Sequence, residues 1–503
     1  MKTALRFLGF HMPGGLPALA ALLFCACQSQ TAPEERDYEV VIPQELSTLD
    51  PRFSTRGFDI KVTRLVHAGL VGLDENTLAP IPLVAKSWAY RDERTLDVEL
   101  RAGLRFHSGA ALGPADVCAT IDALKDDALG SPHRAVVRAI GSCVPRPPLA
   151  LSIVLSEPRA TLLTDLEVPI LRRDQVSVSP RPLGDLDGLG PYRIVRSTPS
   201  EAVLAPAETS AFAKPNRGVV VRTVRDENAR ALRLLAGRAD VAPNAISPAL
   251  LPALEGRDQL AVQSRAGANV TYLLLQNDRA PLDRTQVRYA LAQAIDREKI
   301  VKTLMANRAQ VAHWIFPAQH WASVASEPLN YDPDAARKVL SSVRPLKLLT
   351  STDRARITVA RAIAQMLGDA GVQVQVVSLD FGVLLARLDA GDFDMATLQM
   401  PELTEPHLLS WFFHPKGVPG EGGIGKNRAR WRHPQAGEWL DRAGENRDIG
   451  VRRLFYGKLA ALMQRELPVI PLWHEDQVAV VSDRARGFTL SAEGRWLSLA
   501  SLP

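Results

Sequence analysis

The spacing of apolar residues predicts an alternation of strands and helices along most of the chain. Tyr38-Glu-Val-Val-Ile42 is a strand-like run closed by Pro43, and Leu96-Asp-Val-Glu-Leu100 alternates apolar and polar positions as a half-buried strand does. Leu151 to Leu155 repeats that pattern. Pro114-Ala-Asp116-Val117 opens a helix, with Pro and Asp in the first turn, where neither disturbs the hydrogen bonding. Ile357, Ala360, Ala364 and Leu367 fall on one helical face, Gly371 stops that helix, and Val372, Val374 and Val376 then alternate as a strand. Phe455, Leu459 and Leu462 mark a further helix, followed by an apolar strand from Val469 to Trp473. Two segments echo one another: ALRLLAGRADVA over 231–242 and LARLDAGDFDMA over 385–396, each a helix ended by Gly and followed by a strand. Helix and strand periods alternating in this way give an α/β class.

A chain of 503 residues is too long for one core. Its 46% hydrophobic and 23% charged residues exclude a disordered or polytopic membrane protein. The balance of 60 basic against 55 acidic residues leaves a net charge of +5, and the signs are mixed throughout. No basic stripe of the kind that grips nucleic acid is present in the sequence. A loop rich in Gly, Asp and Pro, Pro180 to Pro191, is the expected crossing between lobes.

The N-terminus changes the expected compartment. Lys2 and Arg6 precede an apolar run, Leu16 to Phe24, that is too short to span a bilayer. Phe24-Cys25-Ala26-Cys27 resembles the lipobox of bacterial lipoproteins, which implies a signal peptide over 1–26, lipidation of Cys27 and a tether over 27–37. A plain cleaved signal is the alternative. Export places Cys118 and Cys143 in an oxidising location, either as a disulfide or as two unpaired thiols.

Catalytic motifs find no support. Gly420-Glu-Gly-Gly-Ile-Gly425-Lys426-Asn427 misses a phosphate-binding loop by its last residue, because Asn427 stands where a hydroxyl would ligate magnesium. Neither G-x-S-x-G nor H-E-x-x-H occurs, and His474-Glu475-Asp476 has no second His at helical spacing. His407 and His414, seven apart, could share a helix face, but no three-ligand metal set accompanies them. The expectation is a non-enzyme with no cofactor and no resident metal.

A series of short matches in fixed order covers residues 40–490. They are Leu49-Asp50-Pro51; His67-Ala-Gly69-Leu70-Val71; Pro82 to Trp88; Thr95 to Gly109 with Pro114 to Val117; and Gly190-Pro191-Tyr192. Ala236 to Val241, Asn277, Val287 to Asp296, Tyr331-Asp332-Pro333 with Ala336, and Gly391 to Asp394 follow. In this order they resemble the family 5 solute-binding proteins of ABC importers, the dipeptide and oligopeptide binders. Asp50, Arg101, Asp116 and Asp296 are expected to serve as caps and ties between elements.

The resemblance implies a two-lobed fold of the type II periplasmic-binding-protein kind, with an extra subdomain inserted in the first lobe. Lobe I would take 38–69, the insertion 70–182, lobe I again 183–276, lobe II 277–473, and a return to lobe I 474–503. It also implies a monomer that captures a small ligand, short peptides foremost, and passes it to a permease. In peptide binders of the family a Trp-x-x-Asp-x-x-Asp-Pro stretch follows the Gly-Asp-Phe-Asp strand, and its first Asp meets the peptide's amino group. Here the stretch is Gln399 to Pro406, which puts Glu402 at that carboxylate, Gln399 at the Trp and Glu405 at the second Asp. Trp411, Phe412 and Trp473 are the remaining candidates for the ligand cleft. Because the stretch is altered, a sensor or surface-interaction role on the same fold, or a non-peptide or metal-chelate ligand through His407 and His414, is the alternative.

Overall fold

The computed structural model describes residues 36–209, 214–421 and 425–503. The expected leader and Cys27 lie outside the described residues. Among the described residues no helix is long and apolar enough to cross a membrane.

The described chain opens with β1 (Tyr38–Ile42) and α1 (Gly57–Val66). A small hairpin, β2 (Val71–Leu73) and β3 (Pro80–Pro82), leads into β4 (Ala85–Tyr90) and β5 (Thr95–Leu100). Then come α2 (Pro114–Lys125), α3 (Arg134–Val137), β6 (Ile140–Arg146), β7 (Ala150–Leu155) and α4 (Leu162–Asp165). The chain continues through β8 (Tyr192–Thr198), β9 (Glu201–Pro206), β10 (Val219–Thr223), α5 (Glu227–Leu235), β11 (Val241–Pro243) and β12 (Leu260–Arg265). The next part holds β13 (Val270–Leu275), α6 (Thr285–Ala294), α7 (Arg297–Leu304), β14 (Ala309–Val311), α8 (Pro333–Leu340) and β15 (Leu346–Ser351). After it come α9 (Arg354–Asp369), β16 (Val374–Leu379), α10 (Phe381–Ala390), β17 (Met395–Met400) and α11 (Leu408–Phe413). Last are α12 (Pro434–Glu445), α13 (Ile449–Glu466), β18 (Val469–Glu475) and β19 (Gln477–Ser482).

Three main sheets organise these elements. Lobe I has seven strands in the order β12-β19-β11-β1-β10-β9-β8, with β1 parallel to both neighbours. A four-stranded antiparallel sheet, β4-β5-β7-β6, forms the inserted subdomain. Lobe II has six strands in the order β14-β18-β13-β17-β15-β16.

Strand alternation explains how the two large sheets are covered on both faces. Val40 and Ile42 face α1 and the C-terminal Phe488 and Trp496, while Val41 faces α5. In lobe II, Tyr272 and Leu274 join one core and Leu273 and Leu275 the other. The insertion buries Leu96, Val98 and Leu100, the apolar half of the alternation read at 96–100. Cys118 of α2 and Cys143 of β6 are joined by a disulfide. The echoing helices α5 and α10 both end before a glycine of positive φ, +64° at Gly237 and +74° at Gly391, a left-handed turn that side chains resist. The buried face of α9 is Val359, Ala360, Ile363 and Leu367, so Ile357 and Ala364 of the expected face lie beside it.

The expected crossing at 180–191 is corrected. That loop returns from the insertion to lobe I, where Pro182 O accepts from Leu49 N–H and Val66 O accepts from Gly190 N–H. The chain passes between the large sheets at 266–269, from β12 to β13, and at Asp476, from β18 to β19. The second sheet therefore begins at Val270 rather than at 277. The Asn269 side chain ties the two crossings together. Asn269 donates to Glu475 O at 2.7 Å and accepts from Glu475 N–H at 2.8 Å. Gly267 lies so close that a Cβ would stand 2.2 Å from Glu475 O.

Candidate functional site

The stretch 401–407 runs along the seam between the lobes, and its path follows from its sequence. Pro401 follows β17 and brings no N–H to extend the ladder. Leu403 is fully buried in the lobe II core, and its N–H donates to Ala268 O at 2.8 Å. The two glutamates on either side of that anchor then reach lobe I.

Glu402 pairs with the Lys61 ammonium of α1 at 3.5 Å. Lys61 Nζ also donates to Glu493 O at 3.2 Å. Burial pushes the Lys61 ammonium down from its usual range, and the Glu402 charge opposes that shift. Glu405 pairs with Arg452 of α13, accepts from Thr164 Oγ1 of the insertion at 3.0 Å and accepts from His407 N–H at 2.8 Å. Arg452 is buried, with Tyr456 Oη 3.1 Å away and the Trp321 ring 5.1 Å below its guanidinium.

Beside Glu405 lies a cavity of about 290 Å³ walled by both lobes. Ser54, Thr63, Arg64, Val136, Asp165 and Glu167 contribute from lobe I and the insertion, and Thr404 and Glu405 from lobe II. Its floor is charged. Glu167 accepts from Arg64 at 3.2 Å and pairs with Arg495, which also pairs with Glu493. Burial raises the Glu167 carboxyl, but the two guanidiniums outweigh it and hold the group below the usual carboxylate range. Asp165 stands the other way: burial lifts it above that range despite Arg159, and the Glu405 charge adds to the lift.

Of the candidates read from sequence, the structure brings Glu402 and Glu405 to the seam. Gln399 instead accepts from Arg356 of α9 at 2.9 Å. Trp411 is half exposed on α11, in a separate groove with Ser410, His414 and Lys416, and Phe412 rests on the lobe II core. Trp473 packs in the lobe II core. It is 1% exposed on a strand covered on both faces, and its indole N–H donates to the Glu475 carboxylate at 3.4 Å. His414 pairs with Asp441 at 3.2 Å and accepts from Lys416 N–H, whereas buried His407 Nδ1 has no hydrogen-bond partner among the described residues. No group of three or more metal-ligating side chains forms among the described residues. Asn427 is buried and holds Trp431 and His414 backbone groups, which is a packing role.

Asp116 caps the start of α2 through Gly113 N–H, Asp296 caps α7 through Lys299 N–H, and Asp50 locks onto Arg52, as ties of the expected kind. Sequence reading missed Lys61, Arg64, Glu167 and Arg452. A signal existed for the first two: α1 buries Val62, Leu65 and Val66, which places Lys61 and Arg64, three apart, together along the edge of that apolar face.

Comparison with known proteins agrees with this architecture. The glutathione-binding protein GsiB of Escherichia coli K12 is 24% identical over 503 aligned positions, covering 94% of this chain and 95% of that protein. The Campylobacter jejuni NikZ structure with Ni(L-His) superposes with a TM-score of 0.77 at 21% identity, covering 93% of this chain and 98% of that one. The Helicobacter pylori DppA structure with the peptide STSA gives 0.74 at 20% identity, covering 92% and 98%. These relatives are solute-binding proteins and not enzymes. The model of the bacterial extracellular solute-binding proteins, family 5, matches residues 79–418, and with two α/β lobes, an inserted subdomain and a cavity at their seam, this chain belongs to that family.

Proposed function

We propose that this protein is the extracytoplasmic binding subunit of an ABC importer. It is exported behind residues 1–26, held at the membrane through a lipidated Cys27, and works as a monomer. It captures a short peptide or a peptide-like solute between its lobes and hands it to the permease when they close. The observation that carries this reading is the cavity walled by both lobes. A ligand there touches lobe I and lobe II at once, so it binds the closed state better and shifts the equilibrium toward it. Its volume of about 290 Å³ lies at the small end of ligand pockets and suits a small solute. The relatives bind glutathione, a tetrapeptide and a nickel–histidine complex, all built from amino acids. The metal-chelate alternative through His407 and His414 draws less support, since neither residue lines this cavity.

A thermal-shift scan of the ligand-stripped protein against di- to hexapeptide pools, glutathione and nickel–histidine tests the proposal. A ligand at 100 times its dissociation constant stabilises the fold by about 2.7 kcal/mol. Val136→Trp, which fills the cavity, is expected to abolish the shift with folding intact. If no solute shifts the folded protein, or if Val136→Trp leaves the shift unchanged, the reading fails.

A further inference from the structure

Three carboxylates border the cavity beside Glu405, and each already has a guanidinium. Asp165 pairs with Arg159 and accepts from Thr161 Oγ1 at 2.7 Å. Glu167 is held by Arg64 at 3.2 Å and by Arg495, and Glu405 is held by Arg452. Arg495 takes Glu493 as well. Four guanidiniums (Arg64, Arg159, Arg452, Arg495) therefore meet four carboxylates (Asp165, Glu167, Glu405, Glu493), and the charges cancel.

The neutral polar groups are engaged in the same way. The Thr63 hydroxyl donates to Asp59 O at 2.7 Å and that of Thr164 donates to Glu405 at 3.0 Å. His133 Nε2 lies 2.9 Å from Ser54 O and carries the hydrogen, since a carbonyl only accepts. Burial holds this imidazole below its usual range, so the ring is neutral at pH 7. Between these groups the wall is apolar: Pro51, Ile60, Val136, Val168 and Pro169. A charged group entering here gives up its water and finds no unpaired counter-ion. Methyl and methylene groups gain by leaving water for such a wall.

We infer that this cavity is a pocket for an uncharged aliphatic group of the solute, and that it rejects ammonium, guanidinium and carboxylate groups by leaving them without a partner. The inference rests on reading the cavity as the ligand site. Selection then comes from ion pairs that are already complete, and needs no steric clash. An aliphatic group seated there is covered by Ile60 of lobe I, Val136 of the insertion and Thr404 of lobe II at once, so its burial also favours closure.

Calorimetry on alanine-based tripeptides, with Leu, Gln, Lys or Glu placed at each position in turn, tests the inference. At one position Leu is expected to bind at least tenfold more tightly than Lys or Glu, with Gln between them. Val136→Asp adds a carboxylate that has no guanidinium, and is expected to reverse the order in favour of Lys at that position only. Val168→Asp serves if the first variant does not fold. A preference for Leu below tenfold at every position overturns the inference while leaving the peptide reading intact, and so does an order that the folded variant leaves unchanged.

A second measurement needs no peptide. Isoamyl alcohol is expected to raise the melting temperature of the wild-type protein in a saturable way, whereas isoamylammonium and isovalerate are not, and Val136→Trp is expected to remove the rise. No saturable rise with the alcohol, an equal rise with either ion, or a rise that persists in Val136→Trp overturns the inference. If the alcohol behaves as expected but no peptide binds, the peptide reading fails and the assignment of the pocket stands.

Discussion

Glu167 is the most exacting place to test the electrostatics under the cleft. Its carboxylate joins Arg64 of α1 to Arg495 of the C-terminal return, and all three side chains are largely shielded from water. Glu167→Gln keeps the shape and removes the charge. Deleting one partner of a buried ion pair costs about 3–5 kcal/mol, chiefly because the remaining charge stays buried. Here Arg495 retains Glu493, and Arg64 is 22% exposed and can recruit water. The lower end, about 3 kcal/mol at pH 7, is therefore expected. The pH dependence fixes the mechanism. The folded carboxyl lies below its usual range because two guanidiniums outweigh burial. Such a group contributes its stability in full above the unfolded value, near 4.3, and loses it as pH falls through the folded value. Urea unfolding followed by tryptophan fluorescence should show a gap between wild type and variant that is widest at pH 7 and closes below about pH 4. A gap under about 1 kcal/mol at pH 7, well short of the expected loss, or one that stays constant down to pH 3.5, would refute the argument.

Other expectations follow from separate features. Cys118 and Cys143 close a loop with a sequence separation of 25, so replacing both by Ser should destabilise the insertion by about 3.5 kcal/mol in the chain-entropy model, read as an earlier unfolding step without reductant. Asn269→Ala removes both side-chain bonds to the Glu475 backbone, and about 1–3 kcal/mol should be lost in urea unfolding because the Glu475 groups are left unpaired. Trp473→Ala is expected to cost about 3–5 kcal/mol of stability as a core truncation, and a variant that lost only ligand affinity would contradict its placement in the core.

Much of the fold was legible because periodicity reports burial. The alternation at 96–100 and the unbroken apolar run at 469–473 predict a strand with one side covered and a strand covered on both, and both are found. The crossing between lobes was not legible for a physical reason. A loop that merely changes direction within a lobe, such as 180–191, concentrates Gly and Pro. The true crossings are short segments, 266–269 and Asp476, without such a concentration of Gly and Pro, and Gly267 alone marks them. The site was half legible. Glu402 and Glu405 could be placed by their offset from the Gly391–Asp394 turn. Their partners could not, because Lys61 and Thr164 stand 341 and 241 positions away in sequence (402 − 61 and 405 − 164) and carry no pattern that marks a pair. The place of Trp473 was not legible because aromatic character suits a cleft wall and a core equally, and only the packing distinguishes them.

The way the lobes meet bears on how such a protein could release what it holds. The two large hydrophobic clusters of lobe II and those of lobe I and the insertion are separate, and among the described residues no large cluster spans the seam. What crosses it is polar: Lys61 with Glu402, Thr164 with Glu405, Arg308 with Glu255 at 2.6 Å, and Arg447 over the Tyr90 ring. Groups of this kind exchange their partners for water when surfaces part, so separation costs far less than exposing an equal area of core. A seam joined through apolar packing would stay shut whether or not the cavity were filled. With a polar seam and two short crossings, the contacts made by a solute would, on the proposed function, be a large share of what holds a closed form together. The Lys61–Glu402 pair contributes little to holding the lobes together. Being partly exposed, it orients the seam more than it clamps the lobes.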